Sequence, residues 1–197
     1  MAIHKPVTQS GIYFITFTCF NWLSLIDMTK GYDLVYNWFD VLLAKGHSVT
    51  SYVIMPNHLH LLLHYSGGTQ SLNTIVGNGK RFMAYDIVKK LEQQNEWKLL
   101  NSMGLGVEAS DRRRGKKHEV WKDSFDVKEC RTEKFVLQKL PYIHNNPCSG
   151  KWKLAESSQL YLHSSALFYL SGKHSCYPVK DYRVFLYPDQ GEEQDLH

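Results

Sequence analysis

The chain has 197 residues, of which 43% are hydrophobic, and it carries a formal net charge of +4. This length and apolar fraction suffice for one domain with a hydrophobic core, while the absence of any apolar run near ~20 residues argues against a membrane protein. The first residues lack the pattern of a signal peptide and the four cysteines are scattered, so we expect a reduced, cytoplasmic protein.

The first third of the chain predicts a strand, a helix and a β-hairpin in that order. Residues 11–20 are rich in β-branched and aromatic side chains, which is typical of a strand. Residues 30–45 place apolar side chains at helical spacing, and Gly46 follows as a stop. Two strands are predicted over 47–55 and 58–65, because the intervening MPNH sequence is a tight-turn signal.

The remainder predicts two longer helices separated by irregular structure. Ser71 can cap a helix that runs to about residue 91, and residues 95–118 are polar and predict an irregular segment. Thr132 begins another helix. The apolar residues predicted to face inward from these two helices are Leu72, Ile75, Phe82, Ile87, Phe135, Val136, Leu137 and Leu140. Helices and strands mixed around one hairpin predict an α+β sandwich with an antiparallel sheet.

Histidines recur with strand spacing in VIMPNHLHLLLH, residues 53–64. His58 and His60 share one face of the predicted strand, and the intervening leucines point to the other face. Two imidazoles at this spacing can bind one divalent ion through nitrogens at about 2.1 Å, although a hydrogen-bonded histidine pair is the alternative. His64 is a weaker candidate because Leu62 separates it from the pair.

A second polar pair occurs in LQKLPYIHNNPCSG, residues 137–150. Tyr142 and Asn146 are four residues apart, so on a helix they would lie on one face and could approach the same ion. The alternative is a packed tyrosine followed by a polar helix terminus. Pro141 disfavours helix at Leu140, which predicts either a kink or a new helical turn beginning at the proline.

The run DRRRGKKH, residues 111–118, is compact and basic. Such a run can attract nucleic-acid phosphates. It can equally be a solvated, mobile loop, and the charge pattern leaves both interpretations open.

Taken in order, VIMPNHLHLLL, GKRF, VWKDSF and QKLPYIHNNP resemble the motifs of HUH-type single-tyrosine transposases. The YIHNNP form and the later YLHSSALFY are most similar to the REP-associated tyrosine transposase branch. The resemblance extends over residues 11–172. The paired histidines are nonspecific alone, but with a later tryptophan and YIHNNP in this order they form a specific pattern.

This resemblance implies a ferredoxin-like fold and an enzyme that cuts and rejoins single-stranded or hairpin DNA. It assigns the nucleophile of a covalent 5′-phosphotyrosine to Tyr142 and the metal ligands to His58, His60 and Asn146. With these ligands and open coordination positions, Mg²⁺ or Mn²⁺ is the expected cofactor. Lys80 and Arg81 match a basic pair in the family. Together with the basic run, the expected DNA-binding residues are Lys80, Arg81, Arg112, Arg113, Arg114, Lys116 and Lys117.

Two other functions stay open at the level of sequence. The first is a domesticated relative that binds hairpin DNA without cutting it, which Pro141 favours because the family usually has an ordinary helix former there. The second is a replication or conjugation initiator with the same site. We expect the catalytic domain to occupy residues 1–150, with residues 151–197 as an extension packed on it, in a monomer or a homodimer.

Overall fold

The structure is a computed structural model that describes residues 6–122, 125–150 and 152–188. In these residues four strands form one sheet, and they are β1 (Gly11–Thr18), β2 (Ser48–Met55), β3 (His58–Tyr65) and β4 (Asp126–Glu129). The strand order is β2-β3-β1-β4 and every neighbouring pair is antiparallel. This is the order of a ferredoxin-like sandwich, so the expected α+β fold with an antiparallel sheet is confirmed.

Helices connect the strands and follow the sheet. They are α1 (Leu25–Met28), α2 (Tyr32–Ala44), α3 (Leu72–Gln93), α4 (Trp97–Leu105), α5 (Ala109–Arg113), α6 (Glu133–His144), α7 (Ala166–Ser171) and α8 (Arg183–Leu186). The side chain of Ser71 accepts a hydrogen bond from the backbone of Thr74 and caps α3, and Thr132 caps α6 in the same way through Phe135. In the part of the chain described, no helix is long and apolar enough to span a bilayer.

The sheet separates two hydrophobic cores. Leu59, Leu61 and Leu63 of β3 enter the larger core, which α2 and α3 cover. Leu62 points the other way, into a smaller core that it shares with apolar side chains of α6. The alternation predicted for β3 is therefore confirmed, and it places His58 and His60 on the α6 side of the sheet.

Helices α2 and α3 approach each other closely at one glycine. Gly79 of α3 lies against the indole of Trp38, and a β-carbon at Gly79 would collide with that ring. A glycine is required here because any side chain would occupy the space of the Trp38 ring. The contact brings α3 close against α2.

The C-terminal segment lies along the outer edge of β2. The backbone N–H of Ile54 donates to the carbonyl of His163 at 2.8 Å, and the N–H of Ser165 donates to the carbonyl of Tyr52 at 3.0 Å. The phenol of Tyr161 donates to the carbonyl of Ile54 at 2.9 Å. These bonds satisfy backbone groups that an edge strand would otherwise leave unpaired.

Several expectations about secondary structure and burial are wrong. Residues 97–113 contain α4 and α5 where an irregular segment was expected, and Leu100 and Met103 of α4 are buried. Phe82 and Leu137, expected inside, are 59% and 51% exposed. The strand predicted over residues 11–20 ends at Thr18, after which the chain turns.

Candidate active site

Two of the three histidines of β3 lie side by side beneath α6. His58 and His60 are both buried, and their ring centroids are 4.8 Å apart. The strand places them together because alternate side chains of β3 point to the same face.

The Nδ1 atom of each histidine is held by a neighbouring side chain. His58 Nδ1 donates to the Asn57 Oδ1 atom at 2.6 Å, and His60 Nδ1 is hydrogen-bonded to the Thr16 hydroxyl at 2.7 Å. Thr16 reaches His60 because β1 and β3 pair these two residues directly. With Nδ1 occupied, Nε2 is the nitrogen of each ring that can bind a metal.

Burial keeps both histidines neutral. It lowers the pKa of His58 to about 4, against a smaller raising effect of the hydrogen bond with Asn146. It lowers the pKa of His60 to about 3, with additional lowering by the positive charge of Lys139 and by His58. A neutral imidazole is the form that binds metals, so the pair is in that form at neutral pH.

Helix α6 and the short 3₁₀ turn after it, Asn146–Cys148, bring Tyr142 and Asn146 to the histidine pair. The Tyr142 ring lies edge-on to His60 with centroids 5.0 Å apart, and half of its side chain is exposed. The Asn146 side chain lies close to His58 and raises the pKa of that ring. All four residues line one open cleft of about 630 Å³. The structure therefore brings together the four residues that the sequence singles out.

Pro141 does not interrupt α6. The helix is continuous from Glu133 to His144, and the backbone N–H of Asn145 donates to the carbonyl of Pro141 at 2.9 Å. No fresh helix start occurs at Pro141, although the proline costs α6 one internal N–H bond. Tyr142 lies in the last turn of α6, whereas Asn146 lies two residues beyond it, in a 3₁₀ turn that spans Asn146–Cys148. The expectation that one helix carries both residues is therefore wrong, but both side chains line the same cleft.

The donor set fits a divalent metal ion. Two neutral imidazoles with their Nδ1 atoms engaged, and an amide already within hydrogen-bonding reach of one of them, can together hold such an ion. No group of three His, Cys, Asp or Glu side chains suited to a metal occurs among the described residues. A third protein ligand at this site would therefore come from a residue such as Asn146.

The other two histidines near these motifs lie elsewhere. His64 stacks on Phe185 with ring centroids 3.9 Å apart. His144 is buried and its Nε2 atom is hydrogen-bonded to Ser51 and Ser165. Neither lines the cleft.

Most of the residues expected to bind DNA line a second, larger cleft. It has a volume of about 1270 Å³ and lies between α3 and a segment that includes residues 114–122. Among its lining residues are five of the expected ones, namely Lys80, Arg81, Arg114, Lys116 and Lys117. Lys122 lines both this cleft and the one beside Tyr142, so the two clefts adjoin.

Several of these basic side chains already have partners in the chain. The Lys80 ammonium is buried and donates to the carbonyl of Lys122 at 2.8 Å. Arg114 and Lys116 pair with the carboxylate of Asp111, and Arg112 donates to the carbonyl of Gly104 at 2.9 Å. These contacts hold the basic run in an ordered turn. A role for the seven residues in DNA binding stays a prediction.

Other side chains in the cleft beside Tyr142 belong to no motif of the sequence, and they include Thr16, Trp22, Asp126 and Trp152. Strand register brings Thr16 and Asp126 next to each other on β1 and β4. Two further site residues do lie in motifs: Lys122 is part of VWKDSF, and Asn57 precedes His58 in the MPNH turn.

Comparison with known proteins bears on the fold. No protein-family model matches the chain, and no curated protein sequence matches it. Among solved structures, that of a REP-associated tyrosine transposase bound to a REP hairpin is similar, with a TM-score of 0.55 and 16% sequence identity. The similarity covers 90% of this chain and 89% of the transposase. The chain has the fold of a REP-associated tyrosine transposase.

The resemblance found in the sequence is thereby confirmed for the fold. A transposase candidate from Deinococcus radiodurans R1 is also similar, with a TM-score of 0.35 and 16% identity over 74% of this chain and 97% of that one. At that TM-score the second similarity carries no argument. At such identities the likeness concerns the fold alone, so the chemistry must be argued from the site residues.

Proposed function

We propose that the protein is a metal-dependent DNA transposase that cleaves and rejoins single-stranded, hairpin-bearing DNA through a 5′-phosphotyrosine at Tyr142. The observation that carries this proposal is the meeting of Tyr142, from the last turn of α6, and Asn146, from the turn that follows, with the buried neutral histidines His58 and His60 in one open cleft. The fold shared with a tyrosine transposase supports the reaction class. That neighbour's hairpin DNA suggests the form of the substrate.

His58, His60 and Asn146 would hold the metal ion, which would offset the negative charge that a phosphodiester presents to a nucleophile. The Tyr142 hydroxyl gives up its proton as its oxygen forms a bond to phosphorus. The bond between phosphorus and the 3′ oxygen breaks, and the departing strand leaves with a 3′-hydroxyl. An ordinary phenol has a pKa near 10, so the proton transfer requires assistance at neutral pH.

Rejoining is the reverse of cleavage. A 3′-hydroxyl of the same or another strand attacks the phosphotyrosine, and the tyrosine oxygen leaves and regains a proton. The phosphodiester bond energy is kept in the tyrosine ester, so joining needs no nucleotide cofactor. The exposure of Tyr142 suits this exchange, because a second strand can reach its phosphate.

The test is covalent capture of labelled DNA. Hairpin oligonucleotides with single-stranded flanks are incubated with the protein and Mn²⁺, and the mixture is separated on a denaturing gel. We expect a labelled protein band that disappears with EDTA and with Tyr142→Phe, and that persists with Tyr85→Phe, which removes another exposed tyrosine. Hairpin binding without any adduct would instead favour the non-catalytic function, and an adduct that survives Tyr142→Phe would overturn the assignment.

A further inference from the structure

An exposed tryptophan stands at the mouth of the cleft beside Tyr142. Trp22 lies in the short turn that follows β1 and is 54% exposed. Its ring is edge-on to His58, with centroids 6.1 Å apart. A large apolar surface is therefore open to solvent directly beside the candidate metal ligands.

The backbone that presents this tryptophan is strained. Asn21 and Trp22 have φ angles of 48° and 59°, a left-handed conformation that is unfavourable for a residue other than glycine. The Nδ2 group of Asn57 donates to the carbonyl of Trp22 at 2.8 Å. That same amide accepts the hydrogen bond from His58. One buried side chain thus ties the turn of Trp22 to the candidate metal site.

A lysine ammonium group lies over the indole ring of Trp22. The Lys122 ammonium lies 4.3 Å from the centroid of the Trp22 ring, and the backbone N–H of Lys122 donates to the carbonyl of Thr18 at 2.8 Å. Lys122 also stands where the two clefts adjoin. A flat π surface with a positive charge beside it suits a nucleotide, whose base stacks and whose phosphate pairs with an ammonium.

We propose that Trp22 and Lys122 form a subsite for one unpaired nucleotide next to the phosphate that is cleaved. The base lies against the exposed part of the indole, and the Lys122 ammonium pairs with the phosphate joined to that nucleotide. The subsite rests on the proposed function, since it assumes a single strand leading to Tyr142. In this subsite the strand is held by stacking of its base on the indole. Any of the bases can stack in this way, because every base has a π face.

The test measures binding and needs no cleavage. In the Tyr142→Phe protein with Mn²⁺, a fluorescein-labelled hairpin oligonucleotide with a ten-nucleotide single-stranded flank is titrated by anisotropy. We expect Trp22→Ala to weaken binding about tenfold, with a smaller loss for Trp22→Phe, because stacking on one aromatic contributes roughly 1–3 kcal/mol per base. Trp97→Ala is the matched control, since Trp97 is also 54% exposed but lies on α4 away from the cleft.

An abasic scan of the flank locates the stacked base. Removing the base at one position should weaken binding to the Trp22-containing protein about tenfold and cost nothing further in the Trp22→Ala protein. Equal penalties in both proteins at every position would overturn the subsite, as would unchanged affinity on Trp22→Ala. Failure of the proposed function would give a different result. In that case no adduct would form at Tyr142, even if removal of the base and removal of the indole weakened binding in the coupled way described above.

The salt dependence of DNA binding tests the proposed contact between the Lys122 ammonium and a phosphate. Lys122→Gln should make the slope of log affinity against log salt concentration shallower by about 0.7, the value for one phosphate contact on a single strand. Lys98→Gln is the control, since Lys98 is an exposed residue of α4 that lines neither cleft and is not among the expected DNA-binding residues. An unchanged slope for Lys122→Gln would contradict the phosphate contact.

Discussion

Hydrogen bonds to Nδ1 decide which nitrogen of each site histidine can face a metal ion. Asn57 holds His58 and Thr16 holds His60, from a turn and from a neighbouring strand respectively. Such partners orient a ligand and raise its basicity, so their loss weakens metal binding even though they never touch the metal. The two histidines can be recognised in the sequence by their spacing, whereas Thr16 becomes their neighbour only through strand pairing.

At the scale of single residues, we predict that Thr16→Val weakens Mn²⁺ binding by about 10-fold to 100-fold. Valine keeps the shape of threonine and removes the hydroxyl that bonds His60, so the ring loses its orientation without a change in packing volume. Isothermal titration calorimetry with Mn²⁺ measures the change.

Thr18→Val is the matched control for that variant. Thr18 pairs with His58 across the same two strands and lines the same cleft, but no hydrogen bond joins its hydroxyl to a histidine in the described part of the chain. We expect its Mn²⁺ affinity to stay near that of the parent protein. Equal losses in both variants would show that the hydroxyl of Thr16 has no special role.

At the scale of elements, the placement of α6 determines whether Tyr142 meets the histidines. The helix is packed against β2 and β3 through Val136, Leu140 and Ile143. Its last turn is held by His144, whose Nε2 atom lies 3.0 Å from the hydroxyls of both Ser51 and Ser165. The C-terminal segment thus reaches through Ser165 to the same turn of α6 that carries Tyr142.

We predict that Ser165→Ala lowers the free energy of unfolding by about 1–3 kcal/mol. The substitution leaves the buried N–H of Tyr52 without the Ser165 hydroxyl that it bonds, and such an unsatisfied group is costly. It also removes one of the two hydroxyls bonded to the His144 ring, which keeps Ser51. Urea denaturation measures the difference. Ser171→Ala, which removes an exposed hydroxyl on α7, should change stability by less than ~0.5 kcal/mol, and an equal effect of both variants would contradict the prediction.

Elements with strong periodic patterns are predictable here, and those that depend on distant partners are not. The β3 strand and α3 follow from alternation, helical spacing and a serine cap. By contrast, β4 (Asp126–Glu129) consists of two acidic residues around a valine and a lysine, a composition that does not predict a strand. It becomes a strand by pairing with β1. Helix α4 has only nine residues, and the polar residues around its buried Leu100 and Met103 conceal the periodicity.

At the scale of the whole molecule, burial of neutral histidines makes stability depend on pH. The pKa values of His58, His60 and His144 are lowered by burial to about 4, about 3 and about 4. Below about pH 6.5 the unfolded chain takes up protons at these residues while the folded chain does not. The stability that they contribute is therefore complete above pH 6.5 and is lost as the pH falls towards 4.

We predict that the free energy of unfolding of the metal-free protein falls between pH 7 and pH 5. Each histidine that remains neutral in the folded state contributes a decrease of about 1.4 kcal/mol per pH unit below pH 6.5. Urea denaturation in EDTA at several pH values measures the slope. His144→Gln should flatten the curve, and stability that is constant or rises over this interval would contradict the assignment of neutral, buried rings.

The central claim is that one of the twelve tyrosines in the chain, Tyr142, becomes covalently joined to DNA. It is tested most directly by digesting the protein–DNA adduct with protease and nuclease and identifying the modified peptide by mass spectrometry. We predict a nucleotide phosphate on Tyr142, formed only when Mn²⁺ or Mg²⁺ is present. A phosphate bond to any other residue, or an adduct formed equally in EDTA, would contradict it.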